Sequence, residues 1–334
     1  MNGSGFSLTL ILWGIASSTI GLQQLYTRTS YMIKPLLAVL TLALTSFAQA
    51  EELQVIEVAD NSYAIVGPLT DRSPENFGNN ATFGFVVSDA GVLLIDSGGS
   101  WKGAEQIHKA IKTVTDKPVV KVINTGGQDH RWFGNDYFAQ QGAELISSST
   151  TQADQKMREA QQVMRISNLI GGAYQGTKPT YANTLIDSEV VIALGDNAIQ
   201  FIPVGHTHTP GENFVWLPEA SVLYTGDTVF VDRMLGVAPQ SQHLTWIEAF
   251  EVIESLNPRV IIPGHGTPTT LEKAKADTLN YLTFLREKIG ELIEEGGDMQ
   301  SVSSVDQSSF SYLNVYEEIH GRNAQRVFEE MEWE

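Results

Sequence analysis

Four apolar segments of this sequence each run directly into a short loop that carries histidine or aspartate. The segments read INTGGQDH at 123–130, FIPVGHTHTPGEN at 201–213, LYTGD at 223–227 and VIIPGHG at 260–266. A rigid strand holds the loop that follows it, so the side chains of such loops can be assembled into one site. The pattern therefore predicts a site at the strand ends of an α/β sheet. Its candidate residues are Asp129, His130, His206, His208, Asp227 and His265.

Strand and helix patterns alternate along the rest of the chain. Strands and hairpins are predicted at 53–67, 82–96, 119–125, 143–148, 189–194, 198–203, 213–227 and 259–266. Helices are predicted at 102–113, 133–142, 151–170, 244–256, 271–295 and 311–331. Strands that alternate with helices, together with hairpins, indicate an α/β protein with mixed sheets.

Two of the predicted hairpins resemble each other. Residues 82–98 read TFGFVVSDAGVLLIDSG and residues 213–227 read NFVWLPEASVLYTGD. Each has an apolar strand, a short turn, a Val-Leu strand and an aspartate at or just past its end. Internal similarity of this kind predicts two related halves.

The segment from Met32 to Ala50 has the parts of a secretory signal. These parts are a basic start at Lys34, an apolar run at 36–44 and the small-x-small site Ala48-Gln49-Ala50. We predict that 32–50 is a signal peptide, too short to span a membrane, and that 1–31 is an upstream or non-native extension. The mature protein, 51–334, is then periplasmic or secreted, without a stable membrane span. The alternative is that the apolar stretch at 6–22 is a membrane anchor.

Charge and cysteine content restrict the partners and the chemistry. The formal net charge is -18, with 39 acidic and 21 basic side chains. Such a surface repels phosphate backbones, so we expect a small-molecule substrate and no nucleic-acid partner. The chain has no cysteine. Thiolate metal ligands, a thiol nucleophile and disulfides are therefore excluded, and the lack of cysteine is compatible with an oxidising compartment.

The loop residues are of the types that bind metal. Imidazole nitrogens and carboxylate oxygens are ligands of zinc, which acts as a Lewis acid in hydrolysis. Each residue taken alone is better explained as a turn or a capped histidine. Four such loops in one chain favour a metal site.

These motifs, in this order, resemble the metallo-β-lactamase superfamily across nearly all of the mature chain. The matching parts are the hairpin ending in Asp96-Ser97-Gly98, the segment from NT to FGN, HTPGEN followed by VWLP, TGD and PGHG. The resemblance implies an αββα sandwich for 51–334, with two mixed β-sheets flanked by helices, and with C-terminal helices. It also implies two zinc ions, held by a His-x-His-x-Asp-His motif and by residues of the later loops.

The sequence departs from the family motif at its first two histidines. Thr125 and Gly127 stand at these positions, and a shift of one residue offers only Gly126. The resemblance therefore implies one complete metal site rather than two. The implied metal ligands are Asp129, His130, Asp227 and His265 at that site, with His208 left at the other, where His206 is an additional imidazole.

The sequence-based hypothesis is a metal-dependent hydrolase that binds one ion, zinc, with iron or manganese as alternatives. Asp129 and His208 are the candidate catalytic residues, as acceptors of a proton. A β-lactam, a thioester or a lactone is the expected class of substrate. The alternative is a non-catalytic binding protein that has kept the fold and lost the dinuclear zinc centre.

Two further residues near the motif receive structural predictions. Asp96 is expected to be a buried hydrogen-bonding residue that braces the metal loops. Arg131 is expected to be a solvated surface residue, the alternative being a positive charge in place of the missing zinc.

Overall fold

The computed structural model describes residues 52–334, so the predicted extension (1–31) and signal peptide (32–50) lie outside the described residues. The strands are β1 Gln54–Ala59, β2 Ser62–Val66, β3 Thr82–Ser88, β4 Gly91–Ile95, β5 Val119–Ile123, β6 Glu144–Ser147, β7 Thr184–Leu185, β8 Val190–Leu194, β9 Asn197–Gly205, β10 Glu212–Leu217, β11 Val222–Tyr224 and β12 Val260–Ile262. The helices are α1 Trp101–Lys112, α2 Asp129–Trp132, α3 Asn135–Ala139, α4 Ser149–Ile170, α5 His243–Leu256, α6 Leu271–Ala274, α7 Asn280–Glu294 and α8 Tyr316–Met331.

The strands form two mixed sheets. The first sheet has the order β1-β2-β3-β4-β5-β6-β7, antiparallel from β1 to β4 and parallel from β4 to β7. The second has the order β12-β11-β10-β9-β8, in which only β11 and β12 are parallel. The prediction of two mixed sheets is therefore confirmed.

Apolar side chains from both sheets form one core between them, and each sheet also packs against helices on its outer face. Leu93 and Ile123 of the first sheet lie in the same buried cluster as Phe201 and Val215 of the second. Helix α1 covers the outer face of the first sheet, and α5 covers that of the second. The layers are thus helix, sheet, sheet and helix, the αββα sandwich that the resemblance implied.

Strand β4 shows why the sequence has continuous apolar runs. All five of its residues are buried. Val92 and Leu94 face the helix layer, whereas Leu93 and Ile95 face the second sheet. A strand that is covered on both faces has no polar side to alternate with.

The two similar hairpins occupy equivalent places in the two sheets. The β3–β4 hairpin is followed by parallel β5, and the β10–β11 hairpin is followed by parallel β12. Gly84 of β3 allows the sheets to approach closely, because a Cβ at this position would lie 2.1 Å from Cε1 of Tyr224. The prediction of two related halves agrees with this topology.

The C-terminal part of the chain has helices, as predicted, but its first helix is interrupted. The residues between α6 and α7, Lys275–Leu279, form a π turn. The turn directs Asp277 and Thr278 inward, where Asp277 accepts a hydrogen bond from Asp232 N and Thr278 exchanges hydrogen bonds with the backbone of Phe230. Inserted turns of this kind occur where a helix must present a side chain that regular spacing would misplace.

Within residues 52–334, no helix combines the length and the apolar character that a membrane crossing requires.

Candidate functional site

Loops that follow four of the strands lie together at one end of the sandwich. Asp96 follows β4, Asp129 follows β5, Asp227 follows β11 and His265 follows β12. Backbone hydrogen bonds join the loops, from Thr82 N to Gly264 O at 2.8 Å and from Asn213 N to Thr125 O at 2.8 Å. The loops of both sheets are therefore held against one another at this edge.

Three of the predicted ligands converge there. His130, Asp227 and His265 place possible ligand atoms within 4.8 Å of one another, and all three side chains are buried. His130 Nε2 lies 3.0 Å from Asp227 Oδ2, and His265 Nε2 lies 3.3 Å from Asp227 Oδ1. We call these three residues the His-Asp-His cluster.

The cluster is held in the protonation states in which such side chains bind metal. Burial lowers the pKa of His130 to about 4 and that of His265 well below its usual value. Burial alone would raise the pKa of Asp227, but Arg131 and His130 lower it well below the usual range. At neutral pH the cluster therefore consists of two neutral imidazoles and a carboxylate.

Asp129, the fourth residue of the predicted site, lies outside the cluster. Its Oδ1 accepts hydrogen bonds from the guanidinium of Arg72 and from His130 N. Its Oδ2 is buried and has no hydrogen-bond partner among residues 52–334. Burial opposes ionisation, but Arg72 and His130 lower the pKa of Asp129 below its usual value.

Arg131 is fully buried, so the expectation of a solvated surface residue is wrong. Its Nη2 and Nε donate to Oδ1 and Oδ2 of Asp227, at 2.5 and 3.2 Å. Its Nη1 donates to Asp96 Oδ2 at 3.0 Å and to Thr82 O at 2.9 Å, and Nη2 also donates to Gly264 O at 2.9 Å. Burying the carboxylates of Asp96 and Asp227 is costly unless a cation pairs with them, and Arg131, the residue after His130, is that cation.

Asp96 braces the loops, as predicted. It is buried, accepts hydrogen bonds from Thr125 N and Thr125 Oγ1 at 2.8 Å each, and pairs with Arg131. Burial raises the pKa of Asp96 to about 6, although Arg131 lowers it in part. Burial lowers the pKa of Arg131, but the carboxylates of Asp227 and Asp96 more than offset this, and the net shift is upward.

The structure separates the two histidines of the 201–213 segment. His208 is buried against the rings of Phe230 and Trp246, at centroid distances of 5.8 and 5.4 Å, outside the His-Asp-His cluster of the described residues. Burial lowers its pKa to about 4, and its Nδ1 has no hydrogen-bond partner in the described part of the chain. His206 instead contacts Gln240 O through Nε2 at 2.6 Å.

Protein groups occupy the space beside Gly127, which stands in place of one missing histidine, and beside its neighbour Gly126. A Cβ at Gly126 would lie 2.6 Å from Glu212 Oε1, and one at Gly127 would lie 2.0 Å from Asp154 Oδ2. Glu212 is fully buried, and burial together with Asp227 raises its pKa well above the usual value. Side chains at positions 126 and 127 would therefore collide with polar groups that are already in place.

The chain thus combines an αββα sandwich with histidine and aspartate side chains gathered at the ends of its strands. The family model of the metallo-beta-lactamase superfamily matches residues 78–265, more than half of the chain. This chain belongs to the metallo-beta-lactamase superfamily.

Individual relatives are distant. Subunit alpha of 2,4-dinitroanisole O-demethylase from Nocardioides sp. (strain JS1661) is 25% identical over 194 residues, which are 58% of this chain and 54% of that protein. The chain thus spans about half the length of this curated relative. A metallo-beta-lactamase from Pontibacter korlensis is similar in structure, with a TM-score of 0.57, 19% identity and coverage of 70% of this chain and 99% of that one. A double mutant of the sec-alkyl sulfatase PisA1 has a TM-score of 0.67, 17% identity and coverage of 84% and 50%.

The His-Asp-His cluster fits a divalent metal ion by the chemistry of its donors. Two neutral imidazoles and one carboxylate are a known catalytic zinc set, in which the remaining position is open. Arg131 holds Asp227 as outer hydrogen-bonding groups hold the ligands of metal sites. At Gly127, one of the two positions where the family motif has histidine, Asp154 crowds the place where a ligand side chain would begin.

Sequence reasoning missed two residues that shape the site. Arg72 lies in the polar segment between β2 and β3, where nothing in its spacing distinguishes it from a solvated arginine. Glu212 follows Gly211 in the HTPGEN motif, but no sequence signal indicates that it is buried. A partial signal existed for Arg131, since Trp132 and Phe133 after it are large apolar residues in a segment between two predicted loops.

Proposed function

We propose that this protein is an exported hydrolase of small molecules that uses one metal ion, zinc. His130, Asp227 and His265 would hold the ion. The observation that carries the proposal is the convergence of these three buried side chains, with their ligand atoms within 4.8 Å of one another. In the family to which the chain belongs, this edge of the sandwich is where such residues are expected to act.

A zinc ion bound there would supply a Lewis acid that polarises the scissile bond and lowers the pKa of an attacking water. The chain itself provides two positions that can take up a proton. Asp129 Oδ2 and His208 Nδ1 are buried acceptors without partners among residues 52–334. Both groups are unprotonated at neutral pH, because the pKa of Asp129 is lowered and burial lowers the pKa of His208 to about 4. Asp129 and His208 remain the proposed catalytic residues.

The proposed substrate class is a small molecule with a hydrolysable bond, such as a β-lactam, a thioester or a lactone. The names of the relatives add an aryl methyl ether, 2,4-dinitroanisole, and a secondary alkyl sulfate to the set that should be tested. The net charge of -18 supports a small substrate over a nucleic acid.

Export to the periplasm or the medium is proposed from the pattern at 32–50. N-terminal sequencing of the purified protein tests it. A mature start at residue 51 supports export with cleavage, whereas a start at residue 1 or 2 contradicts it.

The central experiment measures metal content and hydrolysis together. Full-length protein is purified without chelator, saturated with zinc and dialysed, and we expect about one zinc ion per chain. His265→Ala should lose the zinc and at least 100-fold of any hydrolysis of the substrate set. The matched control is His206→Ala, because His206 lies outside the cluster and should retain both. Two zinc ions per chain, or equal loss in the two variants, would contradict the proposal.

The second candidate function is a non-catalytic binding protein. The observation in its favour is that both Asp129 and Asp227 already have buried arginine partners. This candidate predicts no zinc after saturation and no hydrolysis of any substrate in the set.

A further inference from the structure

Arg72 contacts two predicted metal ligands at once. Its Nη2 donates to Asp129 Oδ1 and lies 2.6 Å from His130 Nδ1. The side chain is 7% exposed, and its Nε has no partner in the part of the chain that the structure describes. One buried guanidinium nitrogen thus joins Asp129 to the His-Asp-His cluster.

The contact fixes the position of the proton on His130. Every nitrogen of a guanidinium group carries hydrogen and none can accept. His130 Nδ1 must therefore be the acceptor from Arg72. The proton of the neutral ring is then on Nε2, which points at Asp227 Oδ2 at 3.0 Å.

A metal ion at the cluster needs the opposite arrangement. A histidine that binds metal through Nε2 carries its proton on Nδ1 and donates it to an acceptor. With Arg72 in place, that proton would face the hydrogens of Nη2. The lone pair of Nε2 is therefore available only when Arg72 is elsewhere.

The protein holds Arg72 where it is through the segment 69–76. Arg233 Nε donates to Leu69 O at 2.7 Å, and Arg233 also pairs with Asp71 at 3.0 Å. Asn80 donates to Thr70 O at 3.0 Å. Three consecutive residues before Arg72 are thus bonded to buried or partly buried side chains, so the guanidinium is positioned by the fold.

We propose that Arg72 and a divalent metal ion exclude each other from the His-Asp-His cluster, so that Arg72 keeps the site closed to metal until it moves away. The inference rests on the proposed metal site and adds a residue that regulates whether metal can bind there. Release of Arg72 frees His130 Nε2 for the ion and removes one of the two hydrogen bonds to Asp129 Oδ1.

Zinc binding measured by calorimetry tests this without reference to activity. Full-length metal-free wild type is compared with Arg72→Met, which keeps an unbranched apolar stem and removes the guanidinium with its donors and charge. We expect Arg72→Met to bind zinc at least tenfold more tightly. The matched control is Arg158→Met, because Arg158 is also a mostly buried arginine in an ion pair, with Asp154, and contacts no member of the cluster among the described residues. Its zinc affinity should equal that of wild type.

Three outcomes separate this inference from the proposed function. Tighter binding in Arg72→Met alone supports the exclusion. Equal, tight binding in wild type and Arg72→Met overturns the exclusion and leaves the metal site standing. Absence of zinc binding in both proteins, with thermal unfolding showing that both are folded, overturns the exclusion and the metal site together.

Histidine-ring nitrogen NMR of the metal-free wild type tests the same inference without a variant of Arg72. The ring signals of His130 are assigned by their loss in His130→Gln. The exclusion predicts a neutral ring with its proton on Nε2. A proton on Nδ1 would overturn it, because Arg72 could not then be the donor to that nitrogen.

Discussion

Replacing Arg131 by methionine should destabilise the protein by about 3–5 kcal/mol, because it removes one partner from a buried ion-pair network. The guanidinium makes five hydrogen bonds, three to the carboxylates of Asp96 and Asp227 and two to the carbonyls of Thr82 and Gly264. Methionine fills a similar volume, so loss of packing contributes little. The cost comes from two carboxylates left in a dry environment.

The destabilisation caused by Arg131→Met should depend on pH in a defined direction. Without Arg131, the pKa of Asp96 must rise above its present value of about 6. As the pH falls from 8 to 5.5, the freed carboxylates take up protons and the penalty shrinks. The destabilisation should therefore be largest at pH 8 and smaller at pH 5.5.

Urea unfolding followed by tryptophan fluorescence measures the effect, since Trp132 and Trp246 are fully buried reporters. The matched control is Arg326→Met, which breaks the surface pair with Glu329 and a 3.4 Å hydrogen bond to Pro239 O and should cost less than about 1 kcal/mol. A loss below about 1 kcal/mol for Arg131→Met at pH 8 would refute the reasoning. It would mean that Arg131 is solvated, as the sequence alone suggested.

Three further predictions concern single positions. His208→Phe should reduce the loss of stability between pH 7 and pH 5 by about 2 kcal/mol. The reason is that the pKa of His208 is about 4 in the folded protein and near 6.5 in the unfolded chain, so in wild type a fall in pH favours the unfolded chain, which takes up the proton. Urea unfolding at both pH values measures the difference. Equal losses in wild type and variant would contradict it. Gly84→Ala should destabilise the protein by about 1–3 kcal/mol, because the new Cβ would lie 2.1 Å from Tyr224. Thermal unfolding measures this, and an unchanged midpoint temperature would show that the two sheets can separate at this position. Arg233→Met should raise hydrogen exchange at the Ser73 and Asn76 amides at least tenfold, because these amides are bonded within the segment that Arg233 anchors through Leu69 O. Unchanged exchange would mean that the segment is held by other contacts.

The fold could be predicted from the sequence because its signals are local. The apolar run of β4 and the repeated hairpin are recognisable in the sequence. The apolar runs also predict where the strands before Asp129, Asp227 and His265 end. The motif order then implied how the strands are arranged. The interrupted helix at Lys275–Leu279 escaped prediction, because it depends on contacts with Phe230, distant in the chain.

The site could be predicted only in part. Its histidines and aspartates carry motif spacing, whereas the arginines that neutralise them carry none. Which carboxylate pairs with Arg131, and whether Arg72 reaches His130, depends on burial of charge between segments far apart in sequence. An arginine in a polar loop is usually solvated. Here the arginines are buried because carboxylates from distant segments are buried beside them, and the sequence does not show this.

The crowding beside Gly126 and Gly127 restricts which substitutions this part of the chain can accept. Histidine at position 127 would meet the carboxylate of Asp154, which is itself tied to Arg158, and a side chain at 126 would meet Glu212. A side chain at either glycine is therefore unfavourable until its neighbour has also changed. Restoring a histidine at 127 would therefore take coordinated changes at Gly127 and Asp154 rather than one substitution.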